Sequence, residues 1–200
     1  MTRYAGIILA AGESRRMGQP KALLPWGGST FVFTVTSRLL DAGLDPVVVV
    51  TGAHADVIRA STIPDGAAWI ENHEWRSGQA GSLRAGVRAL PSNVTAAVVA
   101  LVDQPQIRTA SVTRLLDAHA ARGAPVVRPV FNGRGGHPYL IDSCVFPRIL
   151  TAPADATTFA ILKNFRESFD DVAFEDNSIL IDFDTPGDLA REAPRFGEQF

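Results

Sequence analysis

Short apolar runs without polar alternation recur along the first half of the chain, at residues 5–10 (AGIILA), 46–50 (PVVVV) and 96–102 (AAVVALV). A strand that alternates apolar and polar side chains has one face in water, whereas a strand of a parallel sheet is covered on both faces. Uninterrupted apolar runs of this length are therefore typical of buried parallel strands. We predict three such strands.

Amphipathic segments lie between these runs and predict helices. Gly43 and Gly123 end two of them, at positions where glycine can adopt the left-handed conformation that often terminates a helix. Ser82 stands where a hydroxyl could cap another helix. The alternation of strand and helix predicts an α/β fold with a doubly wound, mostly parallel sheet and right-handed crossovers. The predicted helices span residues 30–42, 53–60, 82–90 and 109–122.

The pattern changes after Gly123. Residues 124–131 and 137–141 predict a β-hairpin with a glycine-rich tip, which we interpret as an insertion or a sheet edge. We expect a single domain over residues 1–200, because no linker, repeat or low-complexity segment interrupts the chain. The remaining predicted elements are helices at residues 144–150 and 157–165, a strand at 178–183 and a helix from Pro186.

Composition narrows the class of protein. Hydrophobic residues make up 46% of the chain and charged residues 20%, and the formal net charge is -2. This balance supports a folded core and argues against a DNA-coating protein or a polybasic membrane binder, so we expect no nucleic-acid and no membrane partner. Anionic small molecules remain open, because they need only a local basic site. No apolar run approaches the roughly 18 residues of a membrane span, and we expect a cytoplasmic protein.

Cysteine and histidine give little sign of a metal centre. Cys144 is the only cysteine, which excludes an internal disulfide and a zinc site built from several thiolates, and is typical of a reducing compartment. We expect Cys144 to be partly buried in a helix. His54, His73 and His119 lack metal-ligand spacing, and we expect each at the surface.

The segment after the first predicted strand, residues 9–21 (LAAGESRRMGQPK), combines small residues with cations. Ligands of parallel α/β sheets bind beyond the carboxyl ends of the strands, where backbone amides can form an anion-binding nest. Arg16 and Lys21 would add charge for a polyphosphate. Neither a Walker A motif nor GxGxxG is present, which argues against a P-loop NTPase and a dinucleotide dehydrogenase. An ordinary solvated loop is the alternative.

Carboxylates follow two other predicted strands. Asp103 comes directly after residues 96–102, at the rim of the sheet, where it could hold a divalent cation. A turn-forming or helix-capping role is the alternative. Asp182 and Asp184 lie two residues apart and would therefore share one face of the last predicted strand.

These segments resemble the nucleotidyltransferase family of the molybdenum cofactor cytidylyltransferases and molybdopterin-guanine dinucleotide synthases. Residues 9–21 are similar to its LAAGxSxRMGxxK signature. The resemblance continues over most of the chain, in residues 72–78 (NHEWRSG), 81–86 (GSLRAG), 101–105 (LVDQP), 136–138 (GHP) and 181–186 (IDFDTP).

The resemblance implies a Rossmann-like, glycosyltransferase-A-like nucleotidyltransferase fold and transfer of a nucleotidyl group to a phosphorylated acceptor, with release of pyrophosphate. It implies Mg²⁺ held by Asp103 and Asp184, with Asp182 as the alternative to Asp184. Arg16, Lys21 and Asp103 would be catalytic. The acceptor would be molybdopterin or the molybdenum cofactor, contacted by His137, with transient contact to a molybdoenzyme or its chaperone. The implied nucleotide-binding residues are Leu9, Ala10, Ala11, Gly12, Arg16, Lys21, Gly78, Ser82 and Leu83.

Two features bear on the substrates. The pair Ala10-Ala11 is similar to the cytidylyltransferase form of the loop and favours CTP over GTP. The cytidylyltransferases carry a Gly-Asp-x-Gly-x-Arg segment near the acceptor, and residues 154–158 (ADATT) stand in its place here. The sequence thus departs from the family in the region that would bind the acceptor. The alternatives are a guanylyltransferase, a nucleotidyltransferase for a sugar or other small phosphate, and a non-catalytic nucleotide-binding module.

Overall fold

The computed structural model describes residues 2–198, which build one eight-stranded sheet and a separate two-stranded ribbon. The strand order of the large sheet is β10-β7-β9-β6-β1-β4-β5, with β8 paired to β7. The strands are β1 (Tyr4–Ala10), β2 (Pro25–Trp26), β3 (Ser29–Thr30), β4 (Val47–Thr51), β5 (Ala67–Glu71), β6 (Ala96–Leu101), β7 (Val126–Phe131), β8 (Arg134–Gly135), β9 (Tyr139–Asp142) and β10 (Phe169–Ala173).

The pairing is mostly parallel. Strand β1 pairs in parallel with β4 on one side and β6 on the other, β4 pairs in parallel with β5, and β7 pairs in parallel with β10. Strand β9 is antiparallel to both β6 and β7. The three predicted buried strands are confirmed as β1, β4 and β6, which lie side by side in the middle of the sheet.

Helices cover both faces of the sheet, which explains the uninterrupted apolar runs. Ile8 of β1 packs in a cluster with α1 and α4, whereas Ile7 packs on the opposite face with α3 and α5. Each central strand therefore buries both faces. The helices are α1 (Phe31–Asp41), α2 (Ala55–Arg59), α3 (Gln79–Ala89), α4 (Thr109–Arg122), α5 (Phe146–Thr151), α6 (Thr158–Leu162) and α7 (Pro186–Glu192). Within residues 2–198, no helix is long and apolar enough to cross a membrane.

The helix boundaries confirm part of the capping analysis. Gly123 is the left-handed C-cap of α4, with φ 63°, and Gly43 follows the end of α1 with φ 84°. The prediction that Ser82 caps a helix is wrong. Helix α3 begins three residues earlier, after Gly78, and Ser82 lies inside it as a buried residue.

The predicted hairpin is confirmed, and its strands belong to the main sheet. Strands β7 and β8 are joined by a tight turn in which Asn132 and Gly133 both have positive φ. Strand β9 then inserts between β6 and β7. The hairpin thus extends the sheet beyond β6.

Three expectations outside the central strands are wrong. Residues 178–183 do not form a strand: Ser178–Leu180 is a short 3₁₀ helix, and the apolar character arises because Ile179 and Phe183 pack into the core. His119 is buried, with Nδ1 3.1 Å from the Tyr4 hydroxyl and Nε2 3.0 Å from Asp142 Oδ2. Cys144 is exposed.

Gly136 sits where the hairpin meets the 3₁₀ turn at Ser178–Leu180. A Cβ built on Gly136 would lie 2.2 Å from the Ile179 carbonyl oxygen, a backbone atom that cannot rotate away. We expect Gly136→Ala to lower the free energy of unfolding by about 1–3 kcal/mol, as other overpacked sites do, measured by urea denaturation. Gly187→Ala is the matched control, because its added Cβ has only one neighbour, at 3.6 Å. Equal stability of the two variants would contradict this packing.

Candidate active site

A cleft opens at the carboxyl ends of β1 and β6, the position that parallel strands favour for ligands. Its cavity has a volume of about 350 Å³. The cleft brings together ten of the residues predicted from sequence, which come from four separate segments of the chain: Leu9, Ala10, Ala11, Gly12, Arg16, Lys21, Gly78, Ser82, Asp103 and Asp184.

The loop after β1 has a tightly defined backbone. Ser14 adopts a left-handed conformation with φ 55°, which is uncommon for a residue other than glycine, and its Oγ accepts a 3.1 Å hydrogen bond from the Lys21 amide. Met17 anchors the Arg15–Met17 turn in the core. Gly52, the residue after β4, allows the backbone to approach the loop, because a Cβ there would lie 2.8 Å from the Ala11 carbonyl oxygen. These contacts fix the position of the Lys21 backbone, from which its side chain enters the cleft.

Lys21 joins the two carboxylates predicted to bind metal. Its Nζ donates a 2.7 Å hydrogen bond to Asp103 Oδ2 and a second hydrogen bond to Asp184 Oδ1. Arg16 donates to the other oxygen of Asp184, Oδ2, at 2.7 Å. A backbone bond from the Phe183 amide to the Asp103 carbonyl, 3.0 Å long, ties the two acidic segments together.

The protonation states follow from burial and charge. Burial acts to lower the pKa of Lys21, but Asp103 and Asp184 outweigh it and the pKa is raised, so the ammonium is kept. For Asp184 burial is opposed by Lys21 and Arg16, which lower its pKa. Burial raises the pKa of Asp103, although Lys21 opposes this shift. With Arg15, which also lines it, the cleft presents two adjacent carboxyl groups and three basic side chains.

The donor set fits a divalent cation bound together with a polyphosphate. Asp103 and Asp184 already converge on one cation, the Lys21 ammonium, and carboxylate oxygens are ligands that Mg²⁺ prefers. Residues 2–198 contain no group of three or more acidic, histidine or cysteine side chains suited to a metal, so phosphate oxygens and water would have to complete the shell. Asp182 is not in the cleft lining, and its Oδ1 accepts a 2.7 Å hydrogen bond from Gln104.

Helix α3 forms the opposite wall of the cleft. Ser82 faces it and accepts a 3.1 Å hydrogen bond from the Asn72 side chain. Leu83, predicted to contact nucleotide, is fully buried in the core and does not line the cleft. The sequence did not single out Ser14 or Gln79 as lining residues. Trp75 also lines the cleft, under the Arg76 guanidinium at 4.2 Å from the ring centroid.

A second cavity, of about 240 Å³, lies beside the cleft between β7, β9, α6 and the residues that follow α6. Gln79 lines both cavities, so the two adjoin. His137 faces the second cavity and does not reach the first. It is partly buried, and its amide donates a 3.0 Å hydrogen bond to the Ile179 carbonyl.

The pKa of His137 gives a test of this placement. Burial lowers this pKa to about 4, although the charge of Asp103 opposes the shift. The unfolded chain, with an ordinary histidine pKa near 6.5, therefore takes up the proton first, and folding loses stability as the pH falls from about 6.5 to 4, by about 3 kcal/mol at most. His137→Gln should lack this part of the pH dependence in urea unfolding. Parallel stability curves for the two proteins would contradict the buried placement.

Comparison with known proteins shows the family to which the chain belongs. The family model described as "MobA-like NTP transferase domain" matches residues 6–171. Nicotine blue oxidoreductase of Paenarthrobacter nicotinovorans is 33% identical over 195 residues, 93% of this chain and 94% of that protein. Molybdenum cofactor cytidylyltransferase of Escherichia coli K12 is 28% identical over 198 residues, 96% of each chain.

A solved structure shows the same architecture. Rv0371c of Mycobacterium tuberculosis H37Rv superposes with a TM-score of 0.82 at 27% identity, over 95% of this chain and 97% of that one. Its complex with manganese superposes with a TM-score of 0.77. The predicted fold class, a Rossmann-like nucleotidyltransferase with a mostly parallel sheet, is confirmed. The chain is a nucleotidyltransferase that belongs to the MobA-like NTP transferase domain family.

Proposed function

We propose that this protein transfers the cytidylyl group of CTP to a phosphorylated small molecule and releases pyrophosphate. The terminal phosphate of the molybdenum cofactor is the first candidate acceptor, by analogy with the Escherichia coli cytidylyltransferase, which matches nearly the whole chain. One observation carries the proposal: Lys21, Asp103 and Asp184 converge at the carboxyl end of the central strands, beside a loop of small residues.

The side chains of the first loop would bind the triphosphate. Arg16 and Lys21 supply positive charge next to loop amides whose N–H groups can donate hydrogen bonds to an anion. As the bond between the α-phosphorus and the leaving pyrophosphate breaks, negative charge grows on the pyrophosphate, and fixed cations stabilise it. An oxygen of the acceptor phosphate would attack the α-phosphorus directly, so no covalent enzyme intermediate is needed.

Asp103 and Asp184 would hold Mg²⁺. The ion would supply Lewis-acid chemistry and bring the phosphates into line. The manganese complex of Rv0371c supports a divalent cation in this fold. The Lys21 ammonium would then release its hydrogen bond to at least one of the two carboxylates and donate to an oxygen of the triphosphate instead.

Base recognition would use the backbone of residues 9–12 together with Gly78 and Ser82, all of which line the cleft. The Ala10-Ala11 pair favours CTP over GTP. Leu83 could contribute only by supporting Ser82 from the core. His137 would contact the acceptor in the second cavity, as a neutral imidazole.

A redox activity is the second candidate. The relative named nicotine blue oxidoreductase is more similar in sequence than the cytidylyltransferase, at 33% against 28% identity, and matches a comparable length. Such a reaction would need a hydride donor such as a reduced nicotinamide dinucleotide, whose pyrophosphate could occupy the same loop.

Thermal unfolding with each of CTP, GTP, UTP and ATP, with and without Mg²⁺, tests the proposal. A nucleotide at about one hundred times its dissociation constant adds roughly 2.7 kcal/mol of stability, and we expect the largest shift from CTP with Mg²⁺. Reduced nicotinamide dinucleotides serve as the comparison. A larger response to GTP would contradict cytidylyl transfer. A response to the nicotinamide dinucleotides alone would favour the redox reaction.

A further inference from the structure

The second cavity carries a concentration of positive charge in a protein whose net charge is -2. Arg128, Lys163 and Arg166 line it, and no aspartate or glutamate of residues 2–198 is among its lining residues. Gln79 connects the cavity to the nucleotide cleft. The cavity is thus suited to an anion that must meet a bound nucleotide.

The three cations differ in what they already bind. The Arg128 guanidinium is engaged by Asp171 through two hydrogen bonds, at 2.9 and 2.7 Å. The side chains of Lys163 and Arg166 are exposed and make no hydrogen bond or ion pair with any residue between positions 2 and 198. Both lie on the 3₁₀ segment Lys163–Ser168, directly after α6. Their charge is available to a ligand.

Aromatic side chains provide the apolar walls. Phe159 lines the cavity and is 68% exposed, an unusual state for so large an apolar side chain. Phe169 stands on the same cavity with its ring near the Arg128 guanidinium, at 5.3 Å. Thr158 also lines the cavity, and its hydroxyl oxygen is buried without a hydrogen-bond partner among the described residues. A planar ring could therefore pack on the two phenylalanines.

We propose that Lys163 and Arg166 are the residues that bind the anionic group of the acceptor, and that the phenylalanine walls select a planar aromatic phosphate over a sugar phosphate. A planar ring can stack on Phe159 and Phe169, whereas the phenyl faces offer no hydrogen bonds to the hydroxyl groups of a sugar. The assignment of this ligand as the acceptor rests on the proposed function. The binding chemistry of the cavity rests on its own residues.

The test measures binding of 4-methylumbelliferyl phosphate by isothermal titration calorimetry, with 4-methylumbelliferone and glycerol 3-phosphate as matched compounds. We expect the aromatic phosphate to bind at least about tenfold more tightly than either compound. In the double variant K163Q/R166Q its affinity should fall by about 10–100-fold, the usual effect of losing hydrogen bonds to charged groups. Arg88 is exposed and lines neither cavity, so R88Q is the control variant and should bind as the wild type does.

Several results would overturn the proposal: no binding of 4-methylumbelliferyl phosphate to the wild type, equal binding of glycerol 3-phosphate, or unchanged binding by a folded K163Q/R166Q variant. Displacement of the probe by CTP would place it in the nucleotide cleft and would also overturn it. Circular dichroism checks that each variant folds. The thermal response to nucleotides is recorded on the same samples, so a failure of the proposed function shows as a wild type that does not respond to them.

Discussion

Replacement of Asp103 by asparagine is expected to lower kcat/KM for nucleotidyl transfer by about 10²–10³-fold, the usual effect of removing one positioned electrostatic group. The change keeps the shape of the side chain but removes the charge that faces Lys21 at 2.7 Å. Steady-state release of pyrophosphate with CTP, Mg²⁺ and a competent acceptor measures it. The fold should survive, because Lys21 keeps its bond to Asp184.

Asp182→Asn is the matched control for this experiment. Asp182 lies close in sequence to Asp184, yet it binds the Gln104 amide and does not line the cleft. We therefore expect at most a few-fold loss of kcat/KM. Near-normal turnover by Asp103→Asn combined with a large loss in Asp182→Asn would show that the carboxylates have been assigned in the wrong order.

Replacement of Lys21 by methionine should have two separable effects. Turnover should fall by about 10²–10³-fold, because the cation that faces the triphosphate is lost. Without metal the variant should also have a lower free energy of unfolding than the wild type. Removal of one partner from a fully buried ion pair costs about 3–5 kcal/mol, and the loss here should be smaller. The reason is partial solvation: the side chains of Lys21, Asp103 and Asp184 are 12%, 19% and 31% exposed.

Divalent cations should reverse the loss of stability. In the variant Asp103 and Asp184 have no ammonium between them, so Mn²⁺ without nucleotide should raise the melting temperature of Lys21→Met more than that of the wild type. Thermal unfolding over a series of Mn²⁺ concentrations measures the difference. An equal response of both proteins would show that Lys21 and the metal do not share these two carboxylates.

The central strands and the nucleotide loop could be predicted because their signals are local. Strands β1, β4 and β6 are buried on both faces and contain almost nothing but apolar residues. The residues after them must then meet at one edge of the sheet, which is why Arg16, Lys21 and Asp103 line one cleft. Parallel topology therefore brings the loop after β1 and the residue after β6 into one expected site.

The periphery could not be predicted because its patterns are set by tertiary contacts. Strand β5 lies at the edge of the sheet and is only half buried, and β10 (FDDVA) contains two aspartates that pair with arginines of other segments. Residues 178–183 mimic a strand because their apolar side chains fill the core from a 3₁₀ turn and a loop. The second cavity depends on residues that come together only through β9 and α6, so Lys163 and Arg166 carried no sequence signal.

The fate of the two ends of the triphosphate tests the central claim most directly. The protein is incubated with the acceptor and Mg²⁺ and with CTP labelled with ³²P at either the α or the γ position. Cytidylyl transfer predicts that the α-label appears in a new acceptor product and the γ-label in pyrophosphate, and that both signals fall together in Asp103→Asn. Release of the γ-label as single phosphate, or an α-labelled product formed equally well by Asp103→Asn, would contradict the account.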